Sequence, residues 1–370
     1  MLSIAENAAN LPESEQMLGS KLIDRVGRLR PESVEGLFIG TAIGDALGLP
    51  LETLTSTQIS ERFGKVQKIL SPVTNKYIGE KNARQGMISD DTQLTLAVAR
   101  GLIAQAGVPL EKILDAIAAE HVEALNATTV GWGKTTEDAV KKLSSGIHWS
   151  ESGTPGGPNA GKGNGVVMKI APLAAFTISR GYSLAQTLAL VDDLCKMTHN
   201  SPLAIASARA HVAALHYTLL TDRDHFSPQE FVDTIIRITE NSAPQDQETA
   251  ALTERFRSLS HVKAMNLDQI TAAYGGGSCY VLDSLPFTYA FFLRAWRSTD
   301  SLYSVANAGG DTDSNAAMVG ALLGALHGKS IFPEEVVAEL LDAKLVTETA
   351  RKFAAALSAI WRLQSYSAET

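Results

Sequence analysis

The chain has 370 residues, of which 45% are apolar and 19% charged, enough length and apolar content for a large buried core. That balance excludes a disordered or fibrous protein. Lys plus Arg number 32 against 40 Asp plus Glu, and the formal charge of -8 argues against a general electrostatic grip on nucleic acid or anionic lipid.

In chain order, Ser14 to Arg30 reads as an amphipathic helix ended by Pro31, with Leu18, Leu22, Val26 and Leu29 on one face and Lys21, Arg25, Arg28 and Arg30 adding basic character. The segment GLFIGTAIGDALGLPLE then places Gly36, Gly40, Gly44 and Gly48 four residues apart. On a helix these form one stripe without side chains, at about 1 kcal/mol each in propensity. Something must approach that stripe closely, and helix packing is the ordinary reason; Asp45 and Glu52 at its end are less easily explained by packing. Apolar residues at helical spacing predict helices at Asp91 to Gln105, Leu110 to Leu125, Ser183 to Lys196, Pro202 to Thr218, Pro228 to Thr239, Asp283 to Arg297, Asn315 to His327 and Pro333 to Leu357. No regularly spaced Val/Ile-rich segments make a sheet, and neither a linker nor a fixed-period repeat divides the chain. The expected fold is all-α: an N-terminal extension at 1–33 and one large helical domain at 34–370.

Besides the glycine stripe, two kinds of segment depart from generic helical sequence. The loop from Gly153 to Lys169, GTPGGPNAGKGNGVVMK, is richer in glycine than a connection needs, and glycine-rich backbone can turn several amides toward a phosphate. It is either a flexible surface loop or a phosphate or sugar cradle. It is not a P-loop, because Gly163 stands where Ser or Thr would bind magnesium. ISDDTQLTL at Ile88 to Leu96 and GGDTDSNAAM at Gly309 to Met318 each put two carboxylates at the start of an apolar helix, where acids are favoured and cap. Asp311, Asp313 and Asn315 imitate the opening of a calcium loop, but Ala316 and Leu322 replace its Gly and Glu, which rejects an EF-hand. Cys195 and Cys279 sit in no metal or redox pattern. The start of the chain lacks the basic and apolar regions of a signal peptide, and no uncharged apolar run reaches the roughly 18 residues of a membrane span, so a cytoplasmic location without membrane or nucleic-acid partners is expected.

In this order GDALGLPLE, SDDTQLTL, GKGNGVVMKIAPL, THNSP, YVLDSLP and GGDTDSNAAMVGALLG closely resemble the ADP-ribosylglycohydrolase family, all-helical enzymes that remove ADP-ribose from modified proteins. The resemblance runs from about Val34 to Gly328. It implies that Ser89, Asp90, Asp91, Asp311, Asp313 and Ser314 are ligands of two Mg2+ (or Mn2+) ions. Facing carboxylates would raise one another's pKa values when empty, and hard divalent cations relieve that repulsion. Ser89 and Ser314 stand where many relatives have Thr, which keeps the hydroxyl but loses the methyl that stiffens χ1. The resemblance also implies that Gly163, Asn164, Gly165 and Met168 hold ADP-ribose near its diphosphate and ribose, with Lys169 in place of the usual Arg. His199 matches a substrate-side His, where a plain helix-capping role is the alternative, and Tyr280 an aromatic that can stack on adenine.

The implied reaction is hydrolysis of the N-glycosidic bond between ribose C1 and an arginine guanidinium nitrogen, with Glu52 transferring a proton or positioning water and Asp91 and Asp313 orienting metal and water. The implied partner is an ADP-ribosylated protein. Two other classes stay open. One is an immunity protein that neutralises a cognate ADP-ribosyltransferase through its N-terminal arm as well as by hydrolysis. The other is a non-enzymatic binding or structural member of the family.

Overall fold

Helical spacing of apolar residues builds most of this chain, and many of its helices start at a side-chain cap or a proline, as at Thr55, Ser183 and Pro202. The computed structural model describes residues 29–71, 83–104, 110–157, 160–242 and 246–368. Its helices are α1 (Pro31–Gly48), α2 (Ser56–Phe63), α3 (Asp90–Ala104), α4 (Leu110–Ala127), α5 (Lys134–Ser144) and α6 (Trp149–Ser152). There follow α7 (Ala171–Ser179), α8 (Leu184–Thr198), α9 (Pro202–Leu220), α10 (Pro228–Glu240), α11 (Gln247–Ser258) and α12 (Leu267–Ala273). The last are α13 (Val281–Arg294), α14 (Asp300–Asn307), α15 (Thr312–His327), α16 (Glu334–Ala338) and α17 (Ala343–Ala368). Among the described residues no strand forms, and two isolated bridges, Thr55 with Gly309 and Gly163 with Tyr280, stitch loops together. The fold is all-α, as expected.

The glycine stripe explains the centre of the molecule. Gly36, Gly40, Gly44 and Gly48 of α1 lie against Gly324, Gly320, Ala316 and Thr312 of α15, so the two helices run antiparallel with small residues meeting every four positions. A Cβ on Gly40 would stand 2.0 Å from the Gly320 carbonyl oxygen, and one on Gly320 would stand 1.9 Å from that of Gly40. Interdigitated rows four residues apart are the commonest helix contact, and here the backbones touch directly. The segment Pro31–Leu51 is long and apolar enough to cross a membrane, yet 89% of that window is buried inside the protein. It is the core helix. The antiparallel register brings the C-terminal end of α1 to the N-terminal end of α15, where the acidic residues sit.

The expected helix from Pro333 to Leu357 is two helices, α16 and α17. Between them the Leu341 amide donates to the Gly86 carbonyl at 2.8 Å, and a side chain on Gly86 would collide with the Glu339 carbonyl at 1.9 Å. A distant loop therefore takes the hydrogen bond that would have continued the helix. The expected helix from Asp283 begins two residues earlier, at Val281, and ends at Arg294, not Arg297. Of the amphipathic segment Ser14 to Arg30, only Leu29 and Arg30 are among the described residues. Arg30 donates to the Leu326 carbonyl at 2.7 Å, in the last turn of α15, where a cation is favoured by the helix dipole.

Candidate active site

The four residues after α1 carry the first acidic side chain. A short 3-10 turn, Leu49–Leu51, delivers Glu52, and Thr53 follows at φ 70, the left-handed region that a β-branched residue rarely occupies. The Thr53 amide donates to the Gly310 carbonyl at 2.8 Å, and the Gly310 amide donates to the Leu54 carbonyl at 2.9 Å. This exchange holds the strained turn against the start of α15. Asp311 is the N-cap residue of α15, yet its side chain makes no cap hydrogen bond. It accepts instead from Asn164 Nδ2 at 2.6 Å. Glu52, Asp311 and Asp313 each bring a carboxylate oxygen within 4.8 Å of the others.

The second acidic pair opens α3. Its capping is done from outside, because Asp45 of α1 accepts from the Ser89 amide at 3.0 Å, the Thr92 amide at 3.1 Å and the Thr92 hydroxyl at 2.6 Å. Asp90 and Asp91 are thereby released from the capping role that acids at a helix start ordinarily have. Ser89 and Ser314 both donate their hydroxyls to Asp91 Oδ2, at 3.1 and 3.2 Å, which makes Asp91 the link between the two acidic groups. Asp91 Oδ1 is buried with no hydrogen-bond partner among the described residues. An unsatisfied buried carboxylate oxygen is costly and calls for a ligand.

Burial and mutual repulsion govern the charge of this cluster. Burial first, then the charges of Asp45 and Asp311, push Asp90 up to about 8, with Lys169 opposing. Burial together with Asp90, Asp45 and Asp311 holds Asp91 well above the carboxylate range. Burial and the charges of Glu52, Asp311 and Asp91 do the same to Asp313. Asp45 rises to about 6 through burial, against the hydrogen bonds it accepts. An all-oxygen donor set with this much repulsion and an unpaired inward oxygen fits a hard divalent cation, and not zinc or copper.

The glycine-rich loop is tied to the fold at Gly153, whose amide donates to the Lys196 carbonyl at 2.8 Å, and again from Gly161 onward. A Cβ on Gly156 or Gly157 would meet nothing within 4 Å, which describes a surface loop. From Lys162 onward the chain is zipped to the segment before α13: the Asn164 amide donates to the Cys279 carbonyl, and the Val281 amide to the Lys162 carbonyl, both at 3.0 Å. Asn164 Nδ2 donates to Ser284 Oγ at 3.0 Å besides Asp311, and so joins the loop to the acidic cluster. Gly165 leaves room for His199, whose Cε1 would stand 2.7 Å from a Cβ there. Met168 is buried with Leu94, Trp132 and Val140, and its Sδ lies 3.8 Å from Ser314 Oγ. Tyr280 is half-buried at the rim and donates its hydroxyl to Glu248 at 2.7 Å, where Lys162 also pairs.

The predicted residues thus fall into one continuous region, the acids and serines at its floor and the Gly163 to Met168 loop beside them. His199 lies against Gly165 of that loop, and Tyr280 is joined to Gly163 by an isolated bridge. Sequence reasoning did not assign Asp45 its role as the cap of α3, although an acid on a stripe of glycines was a signal. It also passed over Lys169 as more than a replacement for Arg. Lys169 is 0% exposed inside the apolar run GVVMKIAPL, and burial brings it down to about 7.

A sequence model of the ADP-ribosylglycohydrolase family matches residues 27–364. The ADP-ribosyl-[dinitrogen reductase] glycohydrolase of Rhodospirillum rubrum is 25% identical over 325 residues, 87% of this chain and 95% of that one. The ADP-ribosylarginine hydrolase Tri1 of Pseudomonas putida is 26% identical over 350 residues, 90% of this chain and 81% of that one. A solved structure titled ADP-ribosylglycohydrolase-related protein complex shares the fold, with a TM-score of 0.62 and 21% identity across 90% of this chain and 99% of that one. With the match spanning nearly the whole chain, and with the acidic clusters and the glycine-rich loop inside it, this protein belongs to the ADP-ribosylglycohydrolase family.

Proposed function

We propose that this protein is a dimetal-dependent hydrolase that releases ADP-ribose from arginine side chains of modified proteins. The observation that carries the reading is the Asn164 to Asp311 hydrogen bond, which sets a glycine-rich loop edge to edge with a buried all-oxygen acidic cluster. Ser89, Asp90, Asp91, Asp311, Asp313 and Ser314 would hold two Mg2+ or Mn2+ ions, which supply charge to acidify water and bind ribose hydroxyls. Glu52 reaches the cluster from the strained turn and serves as the proton-transfer or water-positioning group. Asp91 and Asp313, fixed by the hydroxyl of Ser314 and its backbone amide, set the orientation of that water. Gly163, Asn164 and Gly165 provide backbone for the diphosphate and ribose, with Met168 below, and Tyr280 flanks the adenine end. The positive charge that develops at ribose C1 is met by the surrounding carboxylates.

The relative named for arginine supports an arginine linkage, and so does chemistry. A guanidine leaving group is protonated more readily than a serine alkoxide and asks less of a general acid. The test is incubation of the purified protein with Mg2+ and matched arginine- and serine-linked ADP-ribosyl peptides, following ADP-ribose release. Faster cleavage of the arginine form is expected; equal or reversed specificity constants would sink the preference. The immunity reading, with Ser14 to Arg30 docked in a transferase, concerns residues outside the described ones except Leu29 and Arg30, and Arg30 is held by the Leu326 carbonyl.

A further inference from the structure

The Gly163 to Gly165 part of the glycine-rich loop is backed by three side chains in series, Lys169, Thr198 and His199. Lys169 Nζ donates to Thr198 Oγ1 at 3.0 Å, and the same oxygen lies 3.0 Å from His199 Nδ1. Among the described residues Thr198 Oγ1 has no third hydrogen-bond partner, and it does not bond back to a carbonyl of its own helix as Thr41, Thr95 and Thr177 do. A lysine ammonium has protons to give and no lone pair to offer. The single hydroxyl proton therefore has one destination, the lone pair of His199 Nδ1.

We propose that Lys169, acting through Thr198, is a positioning residue that holds His199 in the neutral tautomer with its proton on Nε2, presenting one N–H donor to an oxygen of the substrate at Gly163 to Gly165. The direction is set by the loop. Nε2 lies 3.0 Å from where a Cβ on Gly165 would stand and 3.7 Å from that on Gly163, so the absence of these side chains lets the Nε2 edge of the ring sit directly against the loop backbone. Burial, reinforced by the Lys169 charge, pulls the imidazole down to about 3, so the ring donates without being charged. His199 is then a fixed donor, not a general acid or base, and proton transfer is left to the carboxylates. The order of donors is imposed from the far end: without Lys169 the hydroxyl can rotate and either ring nitrogen can carry the proton.

The identity of the accepted oxygen rests on the functional reading above, whereas the tautomer is a property of the free protein. Nitrogen-15 NMR of the full chain labelled at histidine, at about pH 6 where the Lys169 amine is protonated, separates the two. The His199 signals are identified by their loss in His199→Gln. The expected pattern is a protonated Nε2 and a bare Nδ1. Thr198→Val and Lys169→Met should each give mixed tautomers and weaken ADP-ribose binding about tenfold by calorimetry, while Thr198→Ser should keep the wild-type pattern. A protonated Nδ1 in the wild-type protein, or an unchanged pattern in either Thr198→Val or Lys169→Met, overturns the proposal. A protonated Nε2 in a wild-type protein that binds no ADP-ribose upholds the positioning role and removes the functional reading instead.

Discussion

Asp91 carries two hydroxyl donors on one carboxylate oxygen and, among the described residues, no partner on the other, and it is the residue through which the two acidic groups meet. Asp91→Ala and Asp313→Ala should abolish hydrolysis and leave helical content in place, because neither side chain contributes apolar packing. Calorimetric titration with Mg2+ should show lost or weakened binding in both. Full activity in excess chelator, or undiminished activity in the two variants, would overturn the metal-dependent mechanism. Glu52→Gln keeps the shape and removes proton transfer, and should lower kcat by roughly 10²- to 10⁴-fold with metal binding retained. Asp45 is different in kind. It accepts from two amides and a hydroxyl at the start of α3, and Asp45→Ala would leave those donors buried and unpaired. The expected cost is about 2 to 4 kcal/mol in urea unfolding, the sum of a lost cap and unsatisfied donors.

Between elements, the close approach of α1 and α15 determines where the acids stand. Glycine in a helix costs about 1 kcal/mol relative to alanine in isolation, so Gly40→Ala would stabilise a lone α1. In the folded protein the added Cβ would meet the Gly320 carbonyl oxygen at 2.0 Å, backbone that cannot move aside, and the helices must separate. Gly40→Ala should therefore destabilise the protein by about 2 kcal/mol or more and weaken Mg2+ binding, because the same two helices lead into Glu52 and Asp313. Gly156→Ala is the matched control, since nothing lies within 4 Å of its added atom and φ there is not positive. Thermal unfolding of both variants decides the matter: equal stability of Gly40→Ala and wild type would contradict the packing account.

For the molecule as a whole, the acidic site is a liability until it is neutralised. A carboxylate raised above its ordinary value binds its proton more tightly in the folded chain than in the unfolded one, so it costs stability as pH climbs from the ordinary value through the raised one. With Asp90 raised from 3.8 to about 8, that loss accumulates across this window in the metal-free protein. Asp90→Asn has no charge to bury. In chelator its stability relative to wild type should increase as pH rises from about 5 to about 8, a difference that subtracts the titration of all other groups. Saturating Mg2+ should narrow the gap, stabilising wild type by about 2.7 kcal/mol at a hundredfold excess over Kd. A gap between the two proteins that does not vary with pH in chelator would refute this account of the site.

The all-helical class was written in the chain, because apolar spacing of 3.6 residues is a local property that any packing must honour. So were the acids: pairs of carboxylates at Ser89 to Asp91 and Asp311 to Ser314 stand out against an apolar background without reference to any partner. The glycine stripe announced a close contact but could not name α15, which lies more than 260 residues away and was chosen by the antiparallel register. The break between α16 and α17 was equally invisible, since the Gly86 carbonyl that ends the helical pattern belongs to another part of the chain. Asp45 read as an oddity on a helix, and only the arrival of the α3 amides made it a cap. Lys169 read as a conservative exchange for Arg until burial left its Nζ with Thr198 as a partner. Composition and periodicity determine which elements form, whereas hydrogen-bond partners and electrostatic neighbours are settled across space, where groups distant in sequence replace the water that each would otherwise keep.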